Sequence, residues 1–196
     1  RSPILRANSR GSVVELHVQR PRTFDDLSIG ASISTDGVCL TVENFTAESI
    51  QFALGPETLK VTGWTLEGVM NKVVNLERSL RLNDRIHGHL VTGHVDAVLS
   101  VLEVRDEGET RTLKREIPAQ WKAYIWPKGS VALNGVSLTV NQVDDASFMV
   151  GLVPETLKCT NLVRLQMGSH VNLEVDNIAR GLVHLAALKR EAKPWL

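Results

Sequence analysis

No run of like charges interrupts the 196-residue sequence, and its 22 basic side chains are balanced by 22 acidic ones. Nucleic acids and anionic membrane surfaces are held by clustered basic residues, so partners of either kind have no support here. No apolar stretch approaches the ~18 residues that a membrane-spanning helix needs. The opening residues, RSPILRANSR, lack the apolar centre of a secretory signal. The chain is therefore expected to be soluble and cytoplasmic, with no nucleic-acid or membrane partner. Cysteine is scarce: Cys39 and Cys159 are the only two, and in a reducing compartment they are expected as free thiols rather than as a disulfide.

Several chemical signatures are missing as well. The sequence has no phosphate-cradling P-loop and no glycine-rich dinucleotide fingerprint ahead of a helix, which leaves nucleotide-driven chemistry without support. It has no GxSxG elbow, and Ser137 stands inside a strand-like run, so a Ser-His-Asp hydrolase has no motif to rest on.

What the sequence does contain is repetition. DGVCLTV at 36–42 returns as NGVSLTV at 134–140, displaced by 98 positions, with Cys39 replaced by Ser137. LGPETLKVTGW (54–64) and LVPETLKCTNL (152–162) pair at the same displacement, aligning Pro56 with Pro154, Glu57 with Glu155, Thr58 with Thr156 and Thr62 with Thr160. VNLE at 74–77 recurs at 171–174, displaced by 97. Three blocks in one order describe a tandem duplication. The repeat is too long for solenoid units of ~20–50 residues, and each half is long enough to form a core of its own.

Within each half, short β-branched or alternating runs such as SVVELHV, SIQFAL, VSLTVNQV and HVNLEV are broken by Gly, Asp, Asn or Pro. Six such runs per half predict an all-β barrel or sandwich. DG and NG ahead of the two LTV strands are tight-turn signals, because Gly reaches positive φ without steric cost. Short helical turns are expected at PETL and at PAQWKAYI, the Pro suiting a first helical position. In DNIARGLVHLAALKREA the residues Ile178, Leu182, Leu185 and Leu188 recur at helical spacing, with Asp176 or Asn177 as N-cap. This helix lies outside the repeat, and its apolar face must pack on its own barrel or on a neighbouring subunit. The expected division is 1–89, 90–176 and 177–196. The second half is expected to open with a strand at VTGHVDAVLSVLEV; the counterpart of VTGHVDA has no place before Arg1, so either the chain is trimmed there or the first barrel lacks its opening strand.

Hydroxyls recur at Thr41 with Thr139 and at Thr58 with Thr156, beside glycine turns or prolines. Such a set suits a neutral ligand rich in hydroxyl and carbonyl groups; the same threonines also serve as ordinary strand and turn residues. HGHLVTGH gathers His87, His89 and His94. A zinc site would need three or four converging ligands, a structural histidine would need only a hydrogen-bond partner, and a ligand-contacting histidine would supply a group titrating near neutrality for proton transfer.

Taken together, the duplicated G-V-x-L-T-V and P-E-T-L-x-x-T blocks, the linking VNLERSLRLNDRIHGHLVTGHVDA and the closing VNLEVDNIAR closely resemble the riboflavin synthase family of the alpha-subunit type, over nearly the whole chain. The resemblance implies two tandem six-stranded Greek-key β-barrels, each binding one 6,7-dimethyl-8-ribityllumazine, and a C-terminal helix that holds a homotrimer together. The implied reaction moves a four-carbon unit between two such molecules, giving riboflavin and 5-amino-6-ribitylamino-uracil, without cofactor or metal. Two like sites serve two identical reactants, and Cys39 against Ser137 makes the sites unlike. By resemblance the substrate contacts fall on Cys39, Leu40, Thr41 and the turn Ala53, Leu54, Gly55, Pro56, Glu57 and Thr58. In the second half they fall on Lys128, Ser137, Leu138, Thr139 and the turn Val153, Pro154, Glu155, Thr156, Leu157 and Lys158. Gly93, His94 and Val95 join them from the link. Cys39, His94, Ser137, Thr139 and Asp176 are the groups expected to carry the chemistry. A non-catalytic lumazine or flavin carrier of the same fold is the other reading. The chain departs from the family pattern at His87, where many members have Gly, and in having no FTGIV-like strand ahead of its first repeat.

Overall fold

The computed structural model describes residues 1–191. The first half contributes β1 (Ser2–Arg10), β2 (Val13–Gln19), β3 (Ser32–Thr35), β4 (Val38–Phe45), β5 (Ser49–Leu54), β6 (Val73–Val74) and β7 (Leu76–Arg78). The second contributes β8 (Ala97–Glu107), β9 (Thr110–Glu116), β10 (Ser130–Leu133), β11 (Val136–Val143), β12 (Ser147–Leu152) and β13 (His170–Val175). The first sheet runs β6-β1-β2-β5-β4-β3-β7, and the second closes as a barrel in the order β10-β11-β12-β9-β8-β13. Every pairing is antiparallel. β6 and β7 are the two pieces of what is one strand, β13, in the second half, so both halves have the same Greek-key order of neighbours.

This corrects the expectation of a missing opening strand. The opening strand of the second half begins at Ala97, not at Val91, and β1 is its counterpart in the first half. Residues 90–96 are irregular because Gly93 sits at φ +81°, which ends an extended backbone.

Alternation along each strand decides what is buried. In β4, Val38, Leu40 and Val42 point into the core while Cys39 and Thr41 point out; in β11, Leu138 and Val140 point in while Thr139 points out and Ser137 is half-buried. One core collects Leu16, Val18, Ile50, Phe52 and Leu54, the other Leu99, Leu113, Phe148, Val150 and Leu152. At ~1.5–3 kcal/mol for each buried side chain of this size, these two cores hold the halves together.

The PETL segments open α1 (Pro56–Thr62) and α3 (Pro154–Cys159), each with Pro in its first turn, and α2 (Leu66–Val69) follows α1. The repeated Thr62 and Thr160 each donate their hydroxyl to the carbonyl of Thr58 or Thr156, at 2.7 Å in both halves. These two threonines therefore close helices. PAQWKAYI forms a 3-10 turn at Ala119–Tyr124. The last element is α4 (Asn177–Glu191); residues 192–196 of the expected helical segment lie outside the described residues. Asp176 caps α4 by accepting from the Ile178 N–H at 2.8 Å. Ala179 is buried against the body, whereas Ile178, Leu182, Leu185 and Leu188 are exposed. No helix among the described residues is long and apolar enough to cross a membrane.

The halves meet where their two tight turns stand back to back. Asp36-Gly37 and Asn134-Gly135 have positive φ at both central positions (48° and 80°, 47° and 78°), as a two-residue hairpin of this hand requires. A Cβ on Gly37 would come within 2.7 Å of the Gly135 nitrogen, and one on Gly135 within 2.9 Å of the Gly37 nitrogen. Around this contact the hydrogen bonds are duplicated like the sequence. The Asp36 N–H donates to the Asn75 carbonyl and the Asn134 N–H to the Asn172 carbonyl, both at 2.9 Å. The Asn75 amide donates across to the Asn134 carbonyl at 3.0 Å, and the Asn172 amide across to the Asp36 carbonyl at 2.8 Å. The duplication thus builds a pseudo-twofold joint from buried amides.

One buried group breaks the rule that buried charges are paired. Arg115 of β9 is fully buried, and its Nε and Nη2 have no partner among the described residues. Burial pushes its guanidinium down to about 10, and its counterpart in β2 is the core residue Val18. Replacing even paired buried charges with apolar residues is often neutral or stabilising by ~1–4 kcal/mol, and Arg115 lacks an ion pair, so Arg115→Met is expected to raise stability by up to that amount. Equilibrium urea unfolding checks it, and a destabilised variant would show that the guanidinium has a partner after all.

Candidate functional site

A cavity of about 670 Å³ opens between the halves, beside the back-to-back turns. Cys39 and Ser137 line it from the first and second halves, so the two unlike residues of the repeat face one space. Each follows its glycine turn by two positions, and the turn contact therefore sets their relative placement. Ser34, Asn75 and Glu77 line the cavity from the first half, and His89, Thr92 and Gly93 from the link.

The link is held close by two glycines that tolerate no side chain. Gly93 has φ +81°, and a Cβ there would come within 2.7 Å of the Cys39 Cβ; its carbonyl accepts from the Cys39 N–H at 2.8 Å. Gly88 has φ +89°, and a Cβ there would come within 2.2 Å of the Ser137 Oγ. The sequence Gly-His thus occurs twice in the link, once against each of the two equivalent repeat positions.

His89 is the residue that the sequence reading passed over. Its Nδ1 and the Ser137 Oγ are 2.7 Å apart, and its backbone N–H donates to the same oxygen at 3.2 Å. That N–H occupies one lone pair of Ser137, and in the tautomer with its ring proton on Nε2 the His89 Nδ1 accepts from the Ser137 hydroxyl. Nε2 is buried and has no partner among the described residues. Burial lowers the His89 pKa from its ordinary value, against the opposing pull of the Asp176 and Glu174 charges, so the ring is neutral at neutral pH. A serine hydroxyl and a neutral imidazole sharing a hydrogen bond on a cavity wall can take a proton from a bound molecule and return it. The signal was present in the sequence as HGHLVTGH, but strand-like spacing could not say which histidine meets Ser137.

Glu174 anchors the link from the other side. This buried carboxylate accepts from the Thr92 N–H (2.6 Å), the Thr92 hydroxyl (2.7 Å), the Gly93 N–H (2.9 Å) and the His94 N–H (3.1 Å). Its counterpart Glu77 has no hydrogen-bond partner among the described residues, and burial pushes its carboxyl up from the ordinary carboxylate range.

The other expected site residues divide by position. Leu40, Leu54 and Leu138 are buried in the cores, so only their backbones can meet a ligand. Thr41, Thr139, Lys128 and the two turns over Ala53–Thr58 and Val153–Lys158 do not line this cavity, although Cys159 and Thr160, just beyond the second turn, do. His94 is exposed, with its backbone bound to Glu174, and Val95 packs against the first core. Asp176 is the cap of α4 and acts on His89 only through its charge. Both cysteines are free, and the Cys159 thiol donates to Glu155 at 3.0 Å, an interaction that raises its pKa. Among the described residues no three His, Cys, Asp or Glu side chains converge on a common point.

Glu174→Gln keeps the shape of the side chain but turns an amide NH2 toward backbone donors. Hydrogen bonds to a charged group are worth ~1.5–3 kcal/mol each, so the variant is expected to lose at least one such increment of stability. Faster hydrogen exchange at Gly93 and His94 should accompany the loss; unchanged exchange there would refute the anchoring role.

The arrangement has counterparts among known proteins. The lumazine binding domain profile matches residues 3–79 and 92–176, one copy on each half. A riboflavin synthase from Photobacterium phosphoreum is 41% identical over 179 residues, spanning 90% of this chain and 81% of that protein. The riboflavin synthase of Escherichia coli (strain K12) is 34% identical over 177 residues, with the same coverage of 90% and 81%. The crystal structure of LumP complexed with riboflavin aligns with a TM-score of 0.81 at 22% identity, covering 90% of this chain and 95% of that one, and so shares the fold. With two matched copies of the domain on two equivalent barrels, and with relatives aligned across both, the chain belongs to the lumazine-binding domain family.

Proposed function

We propose that this protein is a riboflavin synthase, converting two molecules of 6,7-dimethyl-8-ribityllumazine into riboflavin and 5-amino-6-ribitylamino-uracil by four-carbon transfer. The relation to riboflavin synthases at 34–41% identity across both repeats carries this reading. The geometry supports it in a specific way. The products together contain all the atoms of the two reactants, so the reaction calls for proton transfers and close placement of two like molecules, with no oxidant. Each half, 1–89 and 90–176, would hold one reactant, and holding both replaces a bimolecular encounter with a near-unimolecular step.

Roles follow from chemistry. The acidic methyl group of one reactant must lose a proton, and we assign that exchange to the Ser137–His89 pair, in place of the His94 that the resemblance implied. Cys39 is the candidate nucleophile or polar contact of the first half, and in the assembly proposed below it would act opposite the Ser137–His89 pair of another subunit. Thr41, Thr139 and the turns beginning at Ala53 and Val153 would contact the ribityl chain and ring edges from the outer faces of the barrels. The exposed stripe of Ile178, Leu182, Leu185 and Leu188 supports assembly into a homotrimer, which brings the first half of one subunit opposite the second half of another.

Purified protein incubated with the lumazine should release riboflavin fluorescence at one riboflavin per two substrates consumed. Tight binding with no turnover would favour a lumazine or flavin carrier instead. Cys39→Ser is expected to lower turnover at least about tenfold, a loss typical of removing one group active in the transition state. Cys159→Ser should change it little, its thiol being held by Glu155; equal effects would remove Cys39 from the site. Ending the chain at Asp176 should give monomers that still bind lumazine and turn it over far more slowly. Four such side chains, at ~1.5–3 kcal/mol each once buried between subunits, are enough to hold an assembly at assay concentrations. Sedimentation with single-turnover assays checks this, and a fully active monomer would overturn the intersubunit mechanism.

A further inference from the structure

The link does not serve the two twin positions alike. It sets His89 on Ser137, but against Cys39 it sets Gly93, which has no side chain to offer, and the next residue, His94, is exposed. The sheet registers show what Cys39 has instead. Ser34 of β3 pairs with Cys39 of β4 on one side and with Glu77 of β7 on the other, so the three side chains form a row on one face across three strands. The Cys39 N–H is spent on the Gly93 carbonyl, away from β3. Ser34 and Cys39 are therefore a non-hydrogen-bonded pair, the kind whose Cα atoms lie about 4.5 Å apart with side chains closest. Ser34 turns its own backbone toward β7, and in the hydrogen-bonded pair that it makes with Glu77 the Cα atoms are about 5.5 Å apart. A hydroxyl between a thiol and a carboxylate at these spacings can accept from the one and donate to the other. All three residues line the cavity of about 670 Å³.

The equivalent row of the second half is Ser137, Ala132 and Glu174. Ala132 has no hydroxyl to connect the outer two, and Glu174 is filled by the donors of Thr92, Gly93 and His94. Glu77 has no such donors among the described residues, and withdrawal from water raises its carboxyl above the ordinary range. The ionisable groups that share its cavity are Arg1, Cys39, Arg78, Arg85, His87, His89 and Cys159, with Asp26, Arg81 and Asp84 in the adjoining cleft. Arg78 and Arg81 are bound by Asp26, and among the described residues none of these groups forms an ion pair with Glu77.

We propose that Ser34 and Glu77 are positioning residues that act through Cys39: the thiol donates to the Ser34 hydroxyl, which donates to the Glu77 carboxylate. When the sulfur gives up its proton, that proton passes to the Ser34 oxygen as the Ser34 proton passes to Glu77, leaving a thiolate and a neutral carboxylic acid; the reverse transfer restores both. The two halves thereby use different proton acceptors at their twin positions, an imidazole for Ser137 and a carboxylate reached through a serine for Cys39. The service of this relay to catalysis rests on the riboflavin synthase reading; its existence does not.

The test separates the two. Protein carrying carbon-13 at glutamate carboxyl carbons and cysteine β-carbons is titrated between about pH 4 and 8, the Glu77 and Cys39 signals being assigned by their loss in Glu77→Gln and Cys39→Ser. As Glu77 titrates, the Cys39 signal is expected to shift with the same midpoint. That shift should disappear in Glu77→Gln, which leaves His87 and His89 in place, and in Ser34→Ala, in which Glu77 still titrates. Alanine already stands at the twin position 132 of a closed barrel, so Ser34→Ala is expected to keep the fold. A Cys39 signal that ignores Glu77, or one that still follows it in Ser34→Ala, overturns the relay. With the lumazine as substrate, Ser34→Ala and Glu77→Gln should each lower kcat about tenfold with KM little changed, a modest share of what a positioned proton acceptor contributes. Adding Ser34→Ala to Cys39→Ser should cost nothing further. Equal losses of kcat with and without Cys39 would refute the catalytic part alone. Binding without turnover would remove the synthase reading and the catalytic part with it, while the resonances still decide the relay.

Discussion

The contact between Gly37 and Gly135 is the constraint on which the rest of the molecule depends. The two tight turns approach so closely that neither position has room for a Cβ. A back-to-back contact of this kind leaves backbone groups buried, and buried backbone polar groups must find partners. The asparagines of the two VNLE blocks meet that need by crossing from one half to the other. Packing alone would let two barrels slide over one another; hydrogen bonds from buried amides fix one arrangement.

The site follows from that fixed arrangement. Cys39 and Ser137 stand two residues beyond the contacting glycines, on strands whose alternation turns them away from the cores. The link then passes between the halves, pinned by Glu174 on one side and by the Cys39 N–H on the other, and brings His89 onto Ser137. Duplication supplied two equivalent positions, and three unpaired differences made them unlike: Cys39 for Ser137, Asp36 for Asn134, and Asn161 with no twin. A reaction between two identical molecules needs this kind of near-symmetry, because one must give what the other takes.

The exposed face of α4 and the unpartnered Glu77 show where the single chain is incomplete as an energetic unit. Four large apolar side chains lie exposed along one helical stripe, and the Glu77 carboxylate lacks the donors that its twin Glu174 has. Both lie outside the two cores. The stability of each barrel and the completeness of the site are therefore separate matters in this molecule.

The sequence alone determined the duplication, the strand class, the tight turns at Asp36-Gly37 and Asn134-Gly135, the PETL helices and the final helix. Each of these is a local property: periodicity, the φ freedom of glycine and the fixed φ of proline act within a few residues. The apolar stripe on α4 was legible for the same reason, whereas its exposure on the single chain was not, because spacing does not say what covers a helix face. Which histidine meets Ser137 was not, because the link has no regular period and its path is set by Gly88, Gly93 and the distant carboxylate of Glu174. Nor did spacing reveal that Thr62 and Thr160 close helices, or that residues 90–96 form a pinned loop rather than a strand. The amide joint was the least legible of all. Asp36, Asn75, Asn134, Asn161 and Asn172 look in sequence like ordinary turn and strand-edge polar residues, and only burial at a common interface makes their hydrogen bonds obligatory.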